Sequence, residues 1–405
     1  LIYFVMYHFG SLVGVLVYGE YNFLDYRTTF SNYVSETSIS LSYVVSGVAI
    51  GSIISFAPFV YFLETKRVGN RFSYSSKFFK IGRFLIFATL PVVMFVLISQ
   101  VKIAISNGYA FMYTNEFQSS KSIFPFSSVF LNLNKIGFLF VFASLPPAKN
   151  VRLYLILFIS VSLVDALKGS RILFIVPLLW VMFYRARYYD NPLGGKLKKL
   201  VLGGFAISFL FIVQSIRTGQ ALVFDKIFGF LIFSVSKAQY HLAVFIENKD
   251  MFEQNFPYFI RTLLFPIDYL QYGSKIVGQS VTSAALRGDL NHVMSSKLNY
   301  GAYLNGAGMG SALVSELFQY GIVLMPFLIA CFVGFYVFFF YFSSKYRWLF
   351  IFQPLLFMHV VFTPRDSAFP NTWLYIKLGV MMFAIVLAYN LLVVVSKKRE
   401  VRGRF

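Results

Sequence analysis

Cysteine, histidine and acidic side chains are all scarce in this chain, and each scarcity removes a class of chemistry. Cys331 is the single cysteine and sits inside an apolar run, so neither a disulfide framework nor a thiolate metal site forms within the chain. The four histidines, His8, His241, His292 and His359, are too scattered for a metal-ligand spacing, and no Gly-Lys-Ser/Thr phosphate loop is present. The expectation is therefore no metal, no nucleotide and no cofactor. Charge is thin too: Asp, Glu, Lys and Arg make up 13% of the 405 residues, against 58% hydrophobic and 20% aromatic, whereas a soluble core of this length needs a more polar surface.

What the chain does have is a succession of apolar stretches, such as Leu41–Leu63, Gly321–Phe342 and Trp373–Val395. Each is about 20 residues long, which at about 1.5 Å per residue matches the hydrocarbon core of a bilayer. Hydropathy places spans over 1–18, 41–63, 81–106, 127–146, 151–167, 171–188, 199–215, 311–342, 348–364 and 372–395, about ten helices in all. The expected fold is an all-α polytopic membrane protein. The first residue is Leu1 rather than Met, so a leader or a further span is expected ahead of it.

The net charge of +20 does not point to nucleic acid, because the cations sit in short segments between spans. Lys66, Arg67, Arg71, Lys77, Lys80 and Arg83 form one cluster, and Arg185, Arg187, Lys196, Lys198 and Lys199 another. Counting spans puts both on the same side, together with Lys149/Arg152, Lys345/Arg347 and the tail Lys397–Arg404, and the orientation bias makes that side cytoplasmic. Segments 19–40, 107–126, 168–170, 216–310 and 365–371 are then external. The chain divides into N-terminal helices (1–215), a large external loop (216–310) and C-terminal helices with a basic tail (311–405). The loop is too long for a connection and too apolar for a linker, so it is expected to fold against the membrane. Within it, Leu222–Ile246 reads as an interfacial or re-entrant helix, because a full span there would invert every later loop.

Four arginines on the external side run against the orientation bias. Arg171 closes the run Asp165–Ala–Leu–Lys–Gly–Ser–Arg171, Arg217 lies at a span boundary, Arg287 lies in Leu–Arg–Gly–Asp–Leu–Asn–His292, and Arg365 lies in Thr–Pro–Arg–Asp–Ser. Two readings fit each of them: a clamp for a lipid-linked pyrophosphate, or a guanidinium snorkelling to headgroups. The external lysines, with Arg261 and the acids among them, read as a solvated face.

Candidate bases are fewer. His292 lies in a polar, Gly-containing run and has a suitable ordinary pKa; the alternative is a loop histidine bonded to backbone. Glu316 falls one turn into an expected apolar span, where an ionisable group needs a cavity or a partner. Asp165 and Asp366 are positioned to orient arginines, and His241 and His359 are expected to be structural. The run Asn299–Gly310 combines Gly, Asn and Tyr, the residue types that sugar surfaces use.

The segment Gly306–Ala–Gly–Met–Gly–Ser–Ala–Leu–Val–Ser–Glu316–Leu–Phe–Gln–Tyr–Gly321 resembles the point where the large external loop re-enters the membrane in O-antigen and capsule repeat-unit polymerases of the Wzy type. The layout of spans, the late external loop and Lys–Gly–Ser–Arg171 opening a helix are similar as well. The related O-antigen ligases share that architecture and use a loop histidine with arginines. The resemblance implies a GT-C-like, metal-independent glycosyltransferase of the bacterial inner membrane with its active site facing the periplasm or exterior. It joins undecaprenyl-pyrophosphate-linked oligosaccharides, with Arg171, Arg217, Arg287 and Arg365 holding the pyrophosphate and His292 or Glu316 as base. Membrane lipids, a chain-length regulator and a flippase are the partners it implies. Three other readings remain open: a ligase using a lipid A core acceptor, a flippase or transporter, and a non-catalytic scaffold. No internal repeat supports a transporter.

Overall fold

The computed structural model describes residues 5–10, 12, 34–65, 72–114, 117, 126–170, 172–189, 204, 208–209, 211–213, 238–252, 256–367, 369 and 372–402. Among these the chain is helical, and a single parallel bridge between Thr114 and Gln279 is the only extended pairing. Among the described residues, five helices are long and apolar enough to cross a bilayer: Glu36–Phe62, Ser76–Asn107, Ser127–Ser144, Gly321–Ser343 and Thr372–Val393. The first of these contains α1 (Glu36–Ile54), and the next two are α2 (Ser76–Asn107) and α3 (Ser127–Ser144).

The remaining expected spans fare differently, for physical reasons. Helices α4 (Ala148–Ala166) and α5 (Ile172–Tyr188) occupy the expected 151–167 and 171–188, but α4 carries Lys149, Arg152 and Asp165, and α5 has only 17 residues. In the loop lie α6 (Tyr258–Tyr272) and α7 (Leu290–Leu298). The expected 311–342 is not continuous. Gly321, at φ +80°, separates a short helix α8 (Leu313–Phe318) from the span α9 (Gly321–Ser343). The stretch 348–364 also breaks, into Arg347–Phe350 and α10 (Gln353–Phe362), which takes Pro354 in its first turn. The last helix is α11 (Thr372–Arg402). Spans 1–18 and 199–215 lie largely outside the described residues, as does most of Leu222–Ile246.

Helices α2 and α3 form an antiparallel hairpin that closes where two glycines meet. A Cβ on Gly82 would lie 2.7 Å from the Gly137 carbonyl oxygen, and one on Gly137 would lie 2.8 Å from Ile86. Small residues allow this approach in a medium where apolar burial gives no net attraction between helices. The Asn134 amide donates to Thr89 Oγ1 at 3.0 Å beside the crossing.

Hydrogen bonds then collect the basic segments at one end of the bundle. The Ser75 N–H donates to the Ser144 carbonyl at 2.9 Å, which joins the start of α2 to the end of α3. Tyr184 donates to the Phe142 carbonyl at 2.8 Å, Tyr189 to the Pro146 carbonyl at 2.7 Å, and Tyr188 to Gln353 Oε1 at 2.7 Å. Arg347 donates to the Ser73 carbonyl, and Lys77 to Asn390 on α11. The ends that carry Lys77, Lys149, Arg185, Lys345 and the C-terminal tail thus meet at one pole.

The loop folds on the opposite pole. Gln279 N–H donates to the Tyr113 carbonyl at 2.9 Å, and Gly306, at φ +87°, presses against Ala110 so closely that a Cβ would fall 2.0 Å from its carbonyl oxygen. Helix 238–247 runs antiparallel along α1, with Gln239 donating to Ser42 at 3.1 Å and the Glu247 carboxylate accepting the Ser35 N–H at 3.0 Å.

Replacing Gly82 with Leu is expected to destabilise the protein by about 1–3 kcal/mol, the usual penalty of overpacking a closed interface. Thermal unfolding in detergent checks this against Gly47→Leu, whose Cβ meets nothing within 4 Å. Equal melting temperatures for the two variants would refute the hairpin crossing.

Candidate active site

Two of the expected site residues come together at the loop pole with partners that sequence reasoning did not pick out. Arg287 follows the helix Val281–Leu286, and Asp289 stands at the N-cap of α7, so a two-residue turn sets the guanidinium beside the carboxylate. Arg287 Nε donates to Asp289 Oδ1 at 2.7 Å, and its guanidinium lies over the Phe265 ring of α6 with 4.8 Å to the centroid. Using Nε for Asp289 leaves the two terminal nitrogens of the fork without a partner among the described residues. A guanidinium held by its stem and by an aromatic face, with its fork free, is arranged to grip a phosphate in bidentate fashion.

His292 lies one turn into α7 and is buried. Its Nδ1 is 2.6 Å from the Tyr303 hydroxyl, and the two rings meet edge to face. Burial pushes the His292 pKa down to about 4; the Asp289 carboxylate opposes that shift and the Arg287 charge adds to it. The ring is therefore neutral at pH 7, the form that accepts a proton. Burial alone would raise the Asp289 carboxyl, but Arg287 and His292 outweigh it and hold the pKa below the ordinary value. Burial raises the Tyr303 phenol well above its ordinary range, so it stays protonated.

The glycine-rich run is pinned to α7 by polar side chains. Asn291 Oδ1 accepts the Gly310 N–H at 3.0 Å, Ser295 Oγ accepts the Met309 N–H at 3.0 Å, and Gln279 donates to the Ala307 carbonyl at 3.0 Å. Gly310 takes φ +85°, which a side chain would resist. His241 supports the same loop: Nε2 donates to the Gly310 carbonyl at 3.0 Å, so Nδ1 accepts from Ser315 at 2.9 Å. His241 is buried, with both ring nitrogens bonded to this segment. Of the tyrosines in the run, Tyr300 is exposed and Tyr303 is committed to His292.

Glu316 is fully buried, but in α8 and not in a membrane span, because Gly321 ends the expected helix before the span begins. Its carboxylate accepts from Ser311 at 3.0 Å and lies near enough to Tyr258 to influence that phenol. The His292 ring is bonded to Tyr303, and Glu316 to Ser311; these are two clusters, linked through Asn291 and Gly310. The 3-10 turn Thr363–Arg365 packs against α8, which puts the Arg365 backbone beside this second cluster. Arg171, Arg217 and the side chain of Arg365 lie outside the described residues. Sequence reasoning missed Asp289, and it missed Tyr303. Tyr303 stood within a run read as a sugar surface, and only the fold brings it back eleven residues onto His292.

A family model described as O-antigen polysaccharide polymerase Wzy matches residues 1–396. No curated protein and no solved structure matches the chain.

The histidine gives a signed pH dependence. A folded pKa of about 4 against about 6.5 unfolded means the unfolded chain binds the extra proton between those values. The stability due to neutral His292 is complete above pH 6.5, is lost as pH falls toward 4, and changes no further below that. Melting temperatures measured from pH 7 to 4 are expected to fall less steeply in His292→Gln than in the native protein. Parallel curves would show that the ring is not held neutral.

Proposed function

We propose, from the premise that this chain belongs to the O-antigen polysaccharide polymerase (Wzy) family, that it joins undecaprenyl-pyrophosphate-linked repeat units at the pole carrying the Arg287–Asp289–His292–Tyr303 cluster. The observation that carries this reading is the free fork of Arg287, oriented by Asp289 through Nε and seated on Phe265. In the reaction, the bond between the anomeric carbon and the pyrophosphate oxygen of the donor breaks. A hydroxyl of a second lipid-linked oligosaccharide supplies the new C–O bond, and the carrier leaves as its pyrophosphate. The hydroxyl proton passes to His292 Nε2, which has no partner among the described residues, while Nδ1 stays on Tyr303. A base this weak contributes less than the cation, because the departing pyrophosphate is a stable anion whose charge must be met. Arg171, Arg217 and Arg365 complete the clamp, and Glu316 holds the re-entry segment or serves as an alternative base. No metal is needed where guanidinium groups supply that charge.

The gathering of basic segments at the other pole supports a cytoplasmic assignment there, with the active site on the periplasmic or outer face of the inner membrane. Ten spans, a GT-C-like arrangement and the division into 1–215, 216–310 and 311–405 belong to the same reading. The faces of α6 support an interfacial loop: Leu263, Ile267 and Leu270 are exposed on one side, Tyr258, Thr262 and Pro266 are buried on a second, and Arg261 and Asp268 occupy a third. Lys377 lies over the rings of both Tyr269 and Trp373, the aromatic and basic residues of a membrane boundary.

Purified protein given undecaprenyl-pyrophosphate oligosaccharide is expected to make a ladder of longer lipid-linked glycans on a gel. Arg287→Ala should slow it by about 10²–10³-fold, on the scale of losing one preorganised donor to a developing anion, with only partial recovery in Arg287→Lys. An undiminished ladder removes the clamp, and product only on adding lipid A core makes the protein a ligase. For orientation, Tyr300→Cys in a Cys331→Ser background is expected to react with an impermeant maleimide from outside intact spheroplasts. Lys149→Cys should react only after permeabilisation, and the reverse pattern would invert the topology.

A further inference from the structure

The charged residues of the large loop read in the sequence as a solvated face, and Arg261 departs from that reading. It lies on α6 one turn before Phe265, the ring that seats Arg287, and two turns before Asp268. At i, i+4 and i+7 these three residues share one face of the helix, and that face meets the turn Arg287–Gly288–Asp289. The contact is close. A Cβ on Gly288 would lie 2.5 Å from Arg261 Nε, 3.1 Å from its Cγ and 3.3 Å from its Cδ, so a glycine is what admits the arginine here.

Two guanidinium groups therefore reach one three-residue turn, Arg287 from the turn itself and Arg261 from α6. Each has an aromatic ring beside it: Phe265 lies 4.8 Å from the Arg287 Cζ, and Phe256 lies 6.0 Å from the Arg261 Cζ. Asp268 is paired with Arg261 only at long range, with 3.9 Å between Oδ1 and Nη1, beyond hydrogen-bond length. An arginine that merely stapled α6 to the turn would spend its fork on a carboxylate or a backbone carbonyl. Arg261 instead meets Gly288 with its stem and Nε, and its side chain stays partly exposed.

We propose that Arg261 is the second arm of the anion site at Arg287 and sets its preference for a pyrophosphate over a single phosphate. This rests on the reading that Arg287 grips the lipid-linked pyrophosphate. One guanidinium fork matches two oxygens of one phosphoryl group, so Arg287 alone holds a monophosphate and a diphosphate in the same way. A pyrophosphate presents a second phosphoryl group, joined to the first through one bridging oxygen, and carries more negative charge. A second guanidinium across Gly288 meets that group and has no such partner on a monophosphate. Gly288 is then part of the selectivity, because a side chain there pushes Arg261 away.

The test is native mass spectrometry of the full chain in phosphatidylcholine nanodiscs, titrated separately with undecaprenyl pyrophosphate and undecaprenyl monophosphate. The native protein is expected to bind the pyrophosphate on the order of 10–100-fold more tightly, the worth of one further charge-assisted pair. Arg261→Ala should remove most of that preference and leave the monophosphate affinity near native. Gly288→Ala should do the same without removing a charge, since the group it displaces is the end of a flexible side chain. Arg261→Lys should keep part of the preference, and Asp268→Asn should tighten the pyrophosphate severalfold. Arg287→Ala should weaken both carriers. A native protein without preference overturns the proposal, and so does a preference that survives both Arg261→Ala and Gly288→Ala. If Arg287→Ala weakens both carriers while Arg261→Ala changes nothing, the clamp stands and the second arm falls. If Arg261→Ala loses the preference while Arg287→Ala binds both carriers as the native protein does, Arg261 stands and the Arg287 clamp falls. A melting temperature lowered in Arg261→Ala with the preference intact would make the residue a staple of α6.

Discussion

A bilayer tolerates charge and irregular backbone only where protein or water can satisfy them, and this partition organises the whole chain. Apolar helices take the middle, and what cannot enter lipid is sorted to two poles of different chemistry. One pole gathers lysines and arginines on chain ends tied together by tyrosine hydroxyls reaching backbone carbonyls, as Tyr184 and Tyr189 do. The other gathers glycine turns, short helices and paired ionisable groups. The glycines there do specific work: Gly306 lets the loop lie on Ala110, and Gly321 stops α8 so that α9 can start in a new direction.

That sorting explains what was legible in the sequence. Long apolar runs are a property of composition, so the spans over Glu36–Phe62, Ser76–Asn107, Gly321–Ser343 and Thr372–Val393 could be read directly. The basic segments were visible too, and the ends carrying Lys77, Arg347 and Asn390 meet at one pole. The break at Gly321 was not, since glycine occurs within membrane helices as readily as between them, and hydropathy is blind to φ. Glu316 was therefore assigned to a span when it lies in the buried helix before it.

The chemistry at the loop pole depends on pairs, and pairs are what a linear reading sees least. Arg287 and His292 were both visible as unusual external residues, yet Asp289 between them decides what each can do. It holds Nε of Arg287, which fixes the guanidinium plane and leaves the fork free, and its negative charge works against the burial that keeps His292 neutral. Tyr303 fixes the ring from the other side, in its protonated form. A cation oriented but not consumed, next to an imidazole that is neutral but not free to rotate, suits a reaction in which the leaving group is already an anion and the nucleophile is a hydroxyl.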